Sequence, residues 1–295
     1  EPLHGHGDWG SPYLRLPAGA RPSRGHEAWI AAARCTTPSG IPDGVLHQNA
    51  AGRLAALEDA GIARQLLAPG PSIDAAIDLP SNVAAGVFGA YNQYALRYCQ
   101  TDPLRLKTVL QVHGGEPHWS AREIRDLASE PSVAAVSICL PVKLAPDERN
   151  FRPVWEALEE TGLPVLQRDG FVAGVWSPTR LLNYLRLTGI LQSHSTLRLG
   201  FLGRTAQWLD VVVDQMNEDG PNPVVDPRRI FAAVTGARIA DEIPHISAAA
   251  KECLLWESTF PLGGELRESL AALDSLTASE RDLVLESNSN RFLHG

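Results

Sequence analysis

A sequence of 295 residues with 44% hydrophobic and 20% charged residues is long enough for one α/β barrel and has a globular rather than a disordered composition. Its net charge of −8, with no basic stripe, argues against a nucleic-acid partner, and no apolar run reaches the about 18 residues that cross a membrane. Four scattered cysteines and a chain start without the apolar core of a signal peptide predict reduced thiols and a cytoplasmic location.

Apolar and amphipathic segments alternate along the chain from residue 50 onward. Unbroken apolar runs, typical of parallel sheets, predict strands within residues 63–72, 104–115, 132–141, 163–170, 197–203, 228–236 and 253–259. Segments with helical spacing predict helices within residues 50–62, 81–103, 120–131, 150–162, 177–192, 205–216, 240–252, 266–276 and 279–293. In the third of these, Ser120 has the place of an N-cap and Glu123 stands at capping-box spacing.

Seven strands alternating with helices, together with a short strand near residues 1–5, predict a (β/α)8 TIM barrel, which belongs to the α/β class. Residues 1–295 then form a single domain, with an irregular segment at residues 7–49. A doubly wound open sheet is the alternative, although no glycine-rich phosphate loop follows the first strand.

In such a barrel the chemistry lies where the strands end at their carboxyl side. The residues predicted at these ends are His4, His6, Gln111, His113, Pro141, Lys143, Gln167, Arg168, Asp169, Gly203, Arg204, Thr235, Glu257, Ser258 and Thr259.

His4 and His6 share one face of a predicted strand, because strand side chains alternate. Two imidazoles can bind a divalent metal, but such a site normally has three or four ligands. A histidine-rich chain start is equally typical of an irregular segment. His113 is a lone histidine, so a structural and a catalytic role both stay open.

Arg168 and Asp169 end an apolar strand, either as a surface ion pair or with the arginine gripping a substrate carboxylate. Glu257 follows Trp256, and a carboxylate in an apolar pocket can act as a general acid or base near neutral pH. An ion pair with Arg168 or Arg204 is the structural alternative for Glu257.

Ser258 and Thr259 can hydrogen-bond a ligand, but no neighbouring base activates either as a nucleophile. Glu257, Arg168, His113, His4 and His6 are therefore the candidate catalytic residues. The candidate substrate-binding residues are Thr259, Ser258, Arg204, Lys143, Trp256 and Asp169, with Trp176 and Trp208 as further aromatic lining.

The chain resembles the amidohydrolase-related family that includes aminocarboxymuconate-semialdehyde decarboxylase, γ-resorcylate decarboxylase and 4-oxalomesaconate hydratase. The resemblance extends from about residue 50 to the end and rests on ordered segments. These are RLAALEDAGIARQLLAPGPS, NFRPVWEALEETGLPVLQRDG, LRLGFLGRTAQWL, LLWESTFPL and SERDLVLESNSNRFL, the last with Asn288 and Arg291 in an Asn-Ala-x-Arg-like pattern.

The resemblance implies metal ligands at His4 and His6, but its remaining positions fall on poor ligands. The fifth-strand histidine corresponds to Arg168, the sixth-strand histidine or glutamate to Gly203, and the eighth-strand aspartate to Thr259. A fixed arginine charge beside a monovalent cation at 4 Å costs about 4 kcal/mol at an effective dielectric of about 20, and twice that for a divalent ion. We therefore expect no metal cofactor, with Arg168 supplying part of the missing charge.

The leading hypothesis is a metal-independent lyase, isomerase or cyclase that acts on a small carbonyl or carboxylate compound in specialised biosynthesis. The second is a metal-dependent decarboxylase, hydratase or hydrolase in which His4, His6 and Glu257 hold Zn²⁺ or Mn²⁺. The third is a non-catalytic barrel that binds a ligand or a partner enzyme. The expected partners are a small-molecule substrate and a second copy of the chain in a homodimer, with no nucleic acid and no membrane.

Overall fold

The computed structural model of the protein describes residues 49–69, 76, 79–141, 143–147, 149–168, 176, 178–203, 205–217, 225–258, 260 and 266–295. The predicted first strand and the segment at residues 7–49 lie outside these ranges, apart from its last residue. Within the described ranges, all seven predicted strands from residue 63 onward are present. They are β1 (Gln65–Leu67), β2 (Leu106–His113), β3 (Val133–Cys139), β4 (Val165–Arg168), β5 (Leu199–Leu202), β6 (Ile230–Thr235) and β7 (Leu254–Glu257).

The strands form one parallel sheet in the order β1-β2-β3-β4-β5-β6-β7. Each strand pairs with the next one along the chain, so every connection has the same parallel crossover form. This arrangement confirms the predicted α/β fold of the TIM-barrel kind and excludes the doubly wound alternative, whose strand order reverses part-way across the sheet.

Helices surround the sheet, and most of them lie along its outer face. They are α1 (Ala50–Asp59), α2 (Ser81–Cys99), α3 (Pro117–Leu127), α4 (Arg152–Thr161), α5 (Pro178–Leu187), α6 (Ile190–Ser193), α7 (Gln207–Asn217), α8 (Gly236–Glu242), α9 (Ala248–Lys251), α10 (Leu266–Ala271), α11 (Ala278–Asp282) and α12 (Asn288–His294). No helix in the described ranges is long and apolar enough to cross a membrane.

One apolar cluster on the inner face joins all seven strands, which shows that the sheet is curled. Phe292 and Leu293 of α12 pack into the same cluster, and Phe292 lies against the site of Gly200 in β5. The strand members are Leu66, Val109, Ala135, Leu166, Leu202, Phe231, Ala233 and Leu255.

Buried polar groups attach the C-terminal helix to the sheet. Asn288 is fully buried, and its Nδ2 donates to the carbonyls of Lys251 at 2.9 Å and Leu254 at 2.7 Å. Arg198, immediately before β5, donates from Nε to the Phe292 carbonyl at 2.7 Å. Asn288, which carried part of the sequence resemblance, therefore has a structural role in the described chain. A π-helical turn, Leu283–Ser287, joins α11 to α12.

Three predicted helix boundaries are wrong. The helix assigned to residues 120–131 begins at Pro117, because Pro117 is suited to the first helical turn and the Ser120 hydroxyl is engaged elsewhere. The helix at 177–192 divides at Gly189, whose φ of +79° ends one helix before the next begins. The helix at 240–252 is three short pieces, with Pro244 inside a 3₁₀ turn at Ile243–His245.

The described cysteines Cys99, Cys139 and Cys253 are free. Burial raises the pKa of Cys99 to about 11 and that of Cys253 to about 12, so both thiols stay protonated at neutral pH. These two residues are unreactive packing groups, as the sequence predicted.

Candidate functional site at the carboxyl edge of the sheet

The carboxyl edge is the edge at which β2 to β7 end. Strand register brings the predicted residues to this edge in neighbouring pairs: His113 with Cys139, Arg168 with Leu202, and Thr235 with Glu257. The backbone of Arg168 is described and its side chain is not. The edge thus carries one candidate residue at the end of each of several adjacent strands, which is how barrel active sites are assembled.

Glu257, the last residue of β7, is partly buried and lies on the same strand face as Leu255 of the inner cluster. Its Oε2 accepts a hydrogen bond from the Gly203 amide at 3.2 Å. Gly203 follows β5 with a φ of +80°, a conformation that glycine adopts without strain. The carboxylate is therefore held across the sheet by a backbone donor two strands away.

Gln167 positions the end of β4. The backbones of β3 and β4 pair at Val136 and Val165. Beyond that pair, the Gln167 side chain makes the hydrogen bonds to the backbone of β3. Its Oε1 accepts from the Ile138 amide at 3.0 Å and its Nε2 donates to the Ile138 carbonyl at 2.9 Å. This buried amide sets where the next residue, Arg168, leaves the sheet.

His113, at the end of β2, has only 1% of its surface exposed. Its Nδ1 accepts a hydrogen bond from the Gly115 amide at 3.0 Å, and its ring lies 5.9 Å from that of Phe88 between centroids. Burial lowers the pKa of His113 below its ordinary value. The ring is therefore a neutral imidazole at physiological pH.

Ser120 fixes the backbone of His113. Its hydroxyl accepts from the His113 amide at 3.1 Å and donates to the His113 carbonyl at 2.9 Å. The sequence predicts an N-cap role for Ser120, so this contact with His113 was not predicted. Two successive glycines after His113 were the available signal, because they mark a tight turn that brings the following helix back onto the strand end.

Trp256 lies on the other face of β7, away from Glu257. Its side chain packs in two clusters among the helices, near Gly236 and Phe260. Trp208 and Trp176 also pack in the outer clusters, and the Trp176 indole donates to the Leu144 carbonyl at 3.1 Å. Trp256 therefore packs on the helix side of β7, and Trp176 and Trp208 pack in clusters that also contain helical residues.

Of the remaining predicted residues, some lie within the described ranges and others lie outside them. Ser258 follows Glu257 and is partly buried, and Lys143 is exposed in the loop after β3. His194 pairs through Nδ1 with Glu159 Oε2 at 2.7 Å. The predicted residues outside the described ranges are His4, His6, Asp169, Arg204 and Thr259.

We compared the sequence and the fold of this chain with those of known proteins. No protein-family model matches the sequence, and no curated protein matches it significantly. Solved structures do match. The chain has the amidohydrolase fold.

The amidohydrolase fold is shared with structures of low sequence identity. The 5-carboxyvanillate decarboxylase of Sphingomonas paucimobilis is 17% identical over 82% of each chain, with a TM-score of 0.62. An amidohydrolase of Mycobacterium avium subsp. paratuberculosis is 17% identical over 89% of this chain and 80% of its own, with a TM-score of 0.66. The 2,6-dihydroxybenzoate decarboxylase of Rhizobium is 14% identical over 82% and 87%, with a TM-score of 0.65. The resemblance inferred from sequence is confirmed at the level of the fold.

The metal that this fold implies finds an incomplete ligand set in the described residues. A 5-carboxyvanillate decarboxylase of Novosphingobium aromaticivorans contains manganese. In the described part of this chain, no group of three His, Cys, Asp or Glu side chains lies close enough to hold a metal ion. Glu257 is the carboxylate at the edge, and His113 already uses Nδ1 as an acceptor. The described residues alone therefore do not fit a metal centre.

Proposed function

We propose that the protein is a lyase that uses acid–base chemistry on a small carboxylate or carbonyl compound at the carboxyl edge, with decarboxylation as the preferred reaction. One observation carries the proposal: a partly buried carboxylate, Glu257, held by the Gly203 amide at the end of a barrel strand. The fold likeness to two kinds of decarboxylase supports the reaction class.

Decarboxylation needs little more than a proton source and an environment that releases CO₂. The bond between the carboxyl group and the substrate carbon breaks, its electron pair stays on that carbon, and the carbon takes a proton. Glu257 in its acid form supplies this proton and is protonated again from water. Arg168 is proposed to bind a substrate anion, so that its fixed charge orients the substrate without a metal.

The substrate class follows from the proteins of similar fold. One of them is a 2,6-dihydroxybenzoate decarboxylase complexed with 2,6-dihydroxybenzoate, and others act on 5-carboxyvanillate. We propose a hydroxylated aromatic or similar unsaturated carboxylate for this chain. A biosynthetic context, a homodimer and a cytoplasmic location remain part of the proposal.

Release of CO₂ tests this function. The wild-type protein is incubated with 2,6-dihydroxybenzoate, 5-carboxyvanillate and related acids, alongside Glu257→Gln and the matched exposed variant Glu130→Gln. Glu257→Gln should lower kcat by about 10²- to 10⁴-fold, as loss of a general acid does, and Glu130→Gln should leave it unchanged. Turnover by Glu257→Gln at the wild-type rate refutes the assignment.

A metal-dependent lyase is the second candidate, favoured by the manganese in a protein of the same fold. In that case His4, His6 and Glu257 would hold the metal. The same assay after EDTA treatment separates the two candidates. Activity that survives EDTA supports the acid–base enzyme, and activity lost to EDTA and restored by Mn²⁺ or Zn²⁺ supports the metal enzyme.

A further inference from the structure

His113 is a buried histidine whose backbone and one ring nitrogen are fully engaged. The Ser120 hydroxyl binds both the amide and the carbonyl of His113, and the Gly115 amide donates to Nδ1. A Cβ atom at Gly115 would lie 3.0 Å from His113 Cε1 and 2.3 Å from Ser81 Oγ. The turn after β2 thus closes tightly on the imidazole and fixes its orientation.

This orientation decides where the ring proton lies. Because Nδ1 accepts a hydrogen bond, the neutral imidazole carries its hydrogen on Nε2. Among the described residues, the ring lies against Phe88 and accepts from the Gly115 amide, and neither partner is ionisable. His113 is therefore a neutral donor whose single available hydrogen points from Nε2.

That hydrogen has no acceptor among the described residues. Nε2 is buried and makes no hydrogen bond in the described part of the chain. Buried polar groups in folded proteins are almost always paired, so an unpaired N–H on a rigid ring calls for an explanation. The His113 amide, carbonyl and Nδ1 are all paired, so Nε2 is the one polar atom of this residue that is left for an external partner.

We propose that His113 is a substrate-binding residue that donates a hydrogen bond from Nε2 to an oxygen of the substrate, either its carboxylate or an adjacent hydroxyl or carbonyl. The inference rests on the proposed function, because that function makes the carboxyl edge the substrate-binding edge. It assigns His113 as a neutral donor rather than as the general base or metal ligand that a strand-end histidine suggests.

The neutral state suits this role. A neutral donor binds an oxygen acceptor without adding a positive charge to the site, and it leaves proton transfer to Glu257. A metal would need the lone pair of Nε2, which carries the hydrogen when Nδ1 is an acceptor. The proposed binding role therefore requires the tautomer with the hydrogen on Nε2.

Nuclear magnetic resonance of the histidine rings in the full chain tests the proposal directly. The ring of His113 is assigned from the spectrum of His113→Gln and should show the Nε2–H tautomer at pH 7. Addition of 2,6-dihydroxybenzoate or benzoate should shift the Nε2 resonance of His113. An Nδ1–H tautomer, or an Nε2 resonance that no acid in the panel moves, overturns the proposal.

Binding measurements on variants give an independent test. His113→Leu should weaken binding of the same acids by about 10-fold or more, the usual effect of losing a hydrogen bond to a charged group. His113→Gln, whose side-chain amide can donate from nearly the same place, should retain part of that affinity. His118→Leu is the control, because His118 is exposed on α3. Equal affinities for His113→Leu and the control overturn the proposal.

The two proposals fail in different ways. If the acids shift the Nε2 resonance and bind, but no CO₂ is released, the proposed decarboxylation is wrong and the binding role of His113 stands. If CO₂ is released while Nε2 is unaffected by the acids, the lyase assignment stands and the role of His113 is wrong.

Discussion

Replacing Gln167 with leucine should destabilise the protein although the two side chains are similar in size, because the Gln167 amide makes two hydrogen bonds to the backbone of β3. The substitution leaves the amide and carbonyl of Ile138 buried without the partners they now have at 3.0 and 2.9 Å. An unsatisfied buried polar group costs about 1–3 kcal/mol, so the two cost about 2–6 kcal/mol. The apolar burial of leucine offsets about 1–2 kcal/mol. We therefore expect a loss of about 3 kcal/mol in the free energy of unfolding.

Urea unfolding measures this loss, and Gln192→Leu is the matched control. Gln192 also donates from Nε2 to a backbone carbonyl, that of Arg186 at 3.1 Å, but it is exposed. Water replaces the partner there, so the control should change stability by less than about 0.5 kcal/mol. A Gln167→Leu protein that loses no more stability than the control refutes the reasoning.

A glutamate at position 167 sharpens the test. One carboxylate oxygen can accept from the Ile138 amide, but the other faces the Ile138 carbonyl and cannot donate to it unless protonated. The folded state therefore raises the pKa of this carboxyl above its unfolded value. Stability should be fully present below the unfolded pKa of about 4.3 and should be lost as pH rises through the folded pKa. Gln167→Glu that is equally stable relative to wild type at pH 4 and pH 7 contradicts this account.

Three further predictions concern the edge and the C-terminal helix. Gly115→Ala should cost about 1–3 kcal/mol in urea unfolding, because its Cβ would lie 2.3 Å from Ser81 Oγ, and a Ser81→Ala background should reduce that cost. The folded state lowers the pKa of His113, so its contribution to stability should be present above the unfolded pKa of about 6.5 and decline as pH falls below it. Thermal unfolding of wild type and His113→Gln between pH 5 and 8 checks this, and parallel curves would contradict it. Arg198→Met should speed amide exchange in α12 but not in α3, because it removes the hydrogen bond to the Phe292 carbonyl; equal changes in both helices would count against this attachment.

The strands could be predicted from the sequence because a strand buried on both faces is a continuous run of apolar residues. Each strand from β1 to β7 is a short apolar run between polar turns, and such runs have few alternatives in an α/β chain. Helix boundaries were less predictable at Ser120, because its hydroxyl bonds the end of β2 rather than the start of its own helix. The two glycines after His113 mark the tight turn that makes this contact possible, but capping-box spacing favoured an N-cap at Ser120.

The alternation of side chains along β7 determines which of its residues face the inside of the sheet. Glu257 and Trp256 are adjacent in a strand, so they must lie on opposite faces, and Leu254 and Leu255 divide between the outer and inner clusters in the same way. A tryptophan next to an inward carboxylate therefore packs against helices. The partner of Glu257 could not be read from the sequence, because Gly203 contributes only a backbone amide.

The backbone conformation of Gly203 and its hydrogen bond to Glu257 belong to one arrangement at the carboxyl edge. The family resemblance implies a histidine or glutamate at this position, and no atom lies within 4 Å of the place a Cβ would take. Space therefore does not exclude a side chain, but the φ of +80° disfavours one, since residues other than glycine adopt this conformation at a cost. The same conformation accompanies the hydrogen bond from the Gly203 amide to Glu257. A histidine at Gly203 would strain the backbone that holds Glu257, so we expect Gly203→His to disturb the position of Glu257 as well.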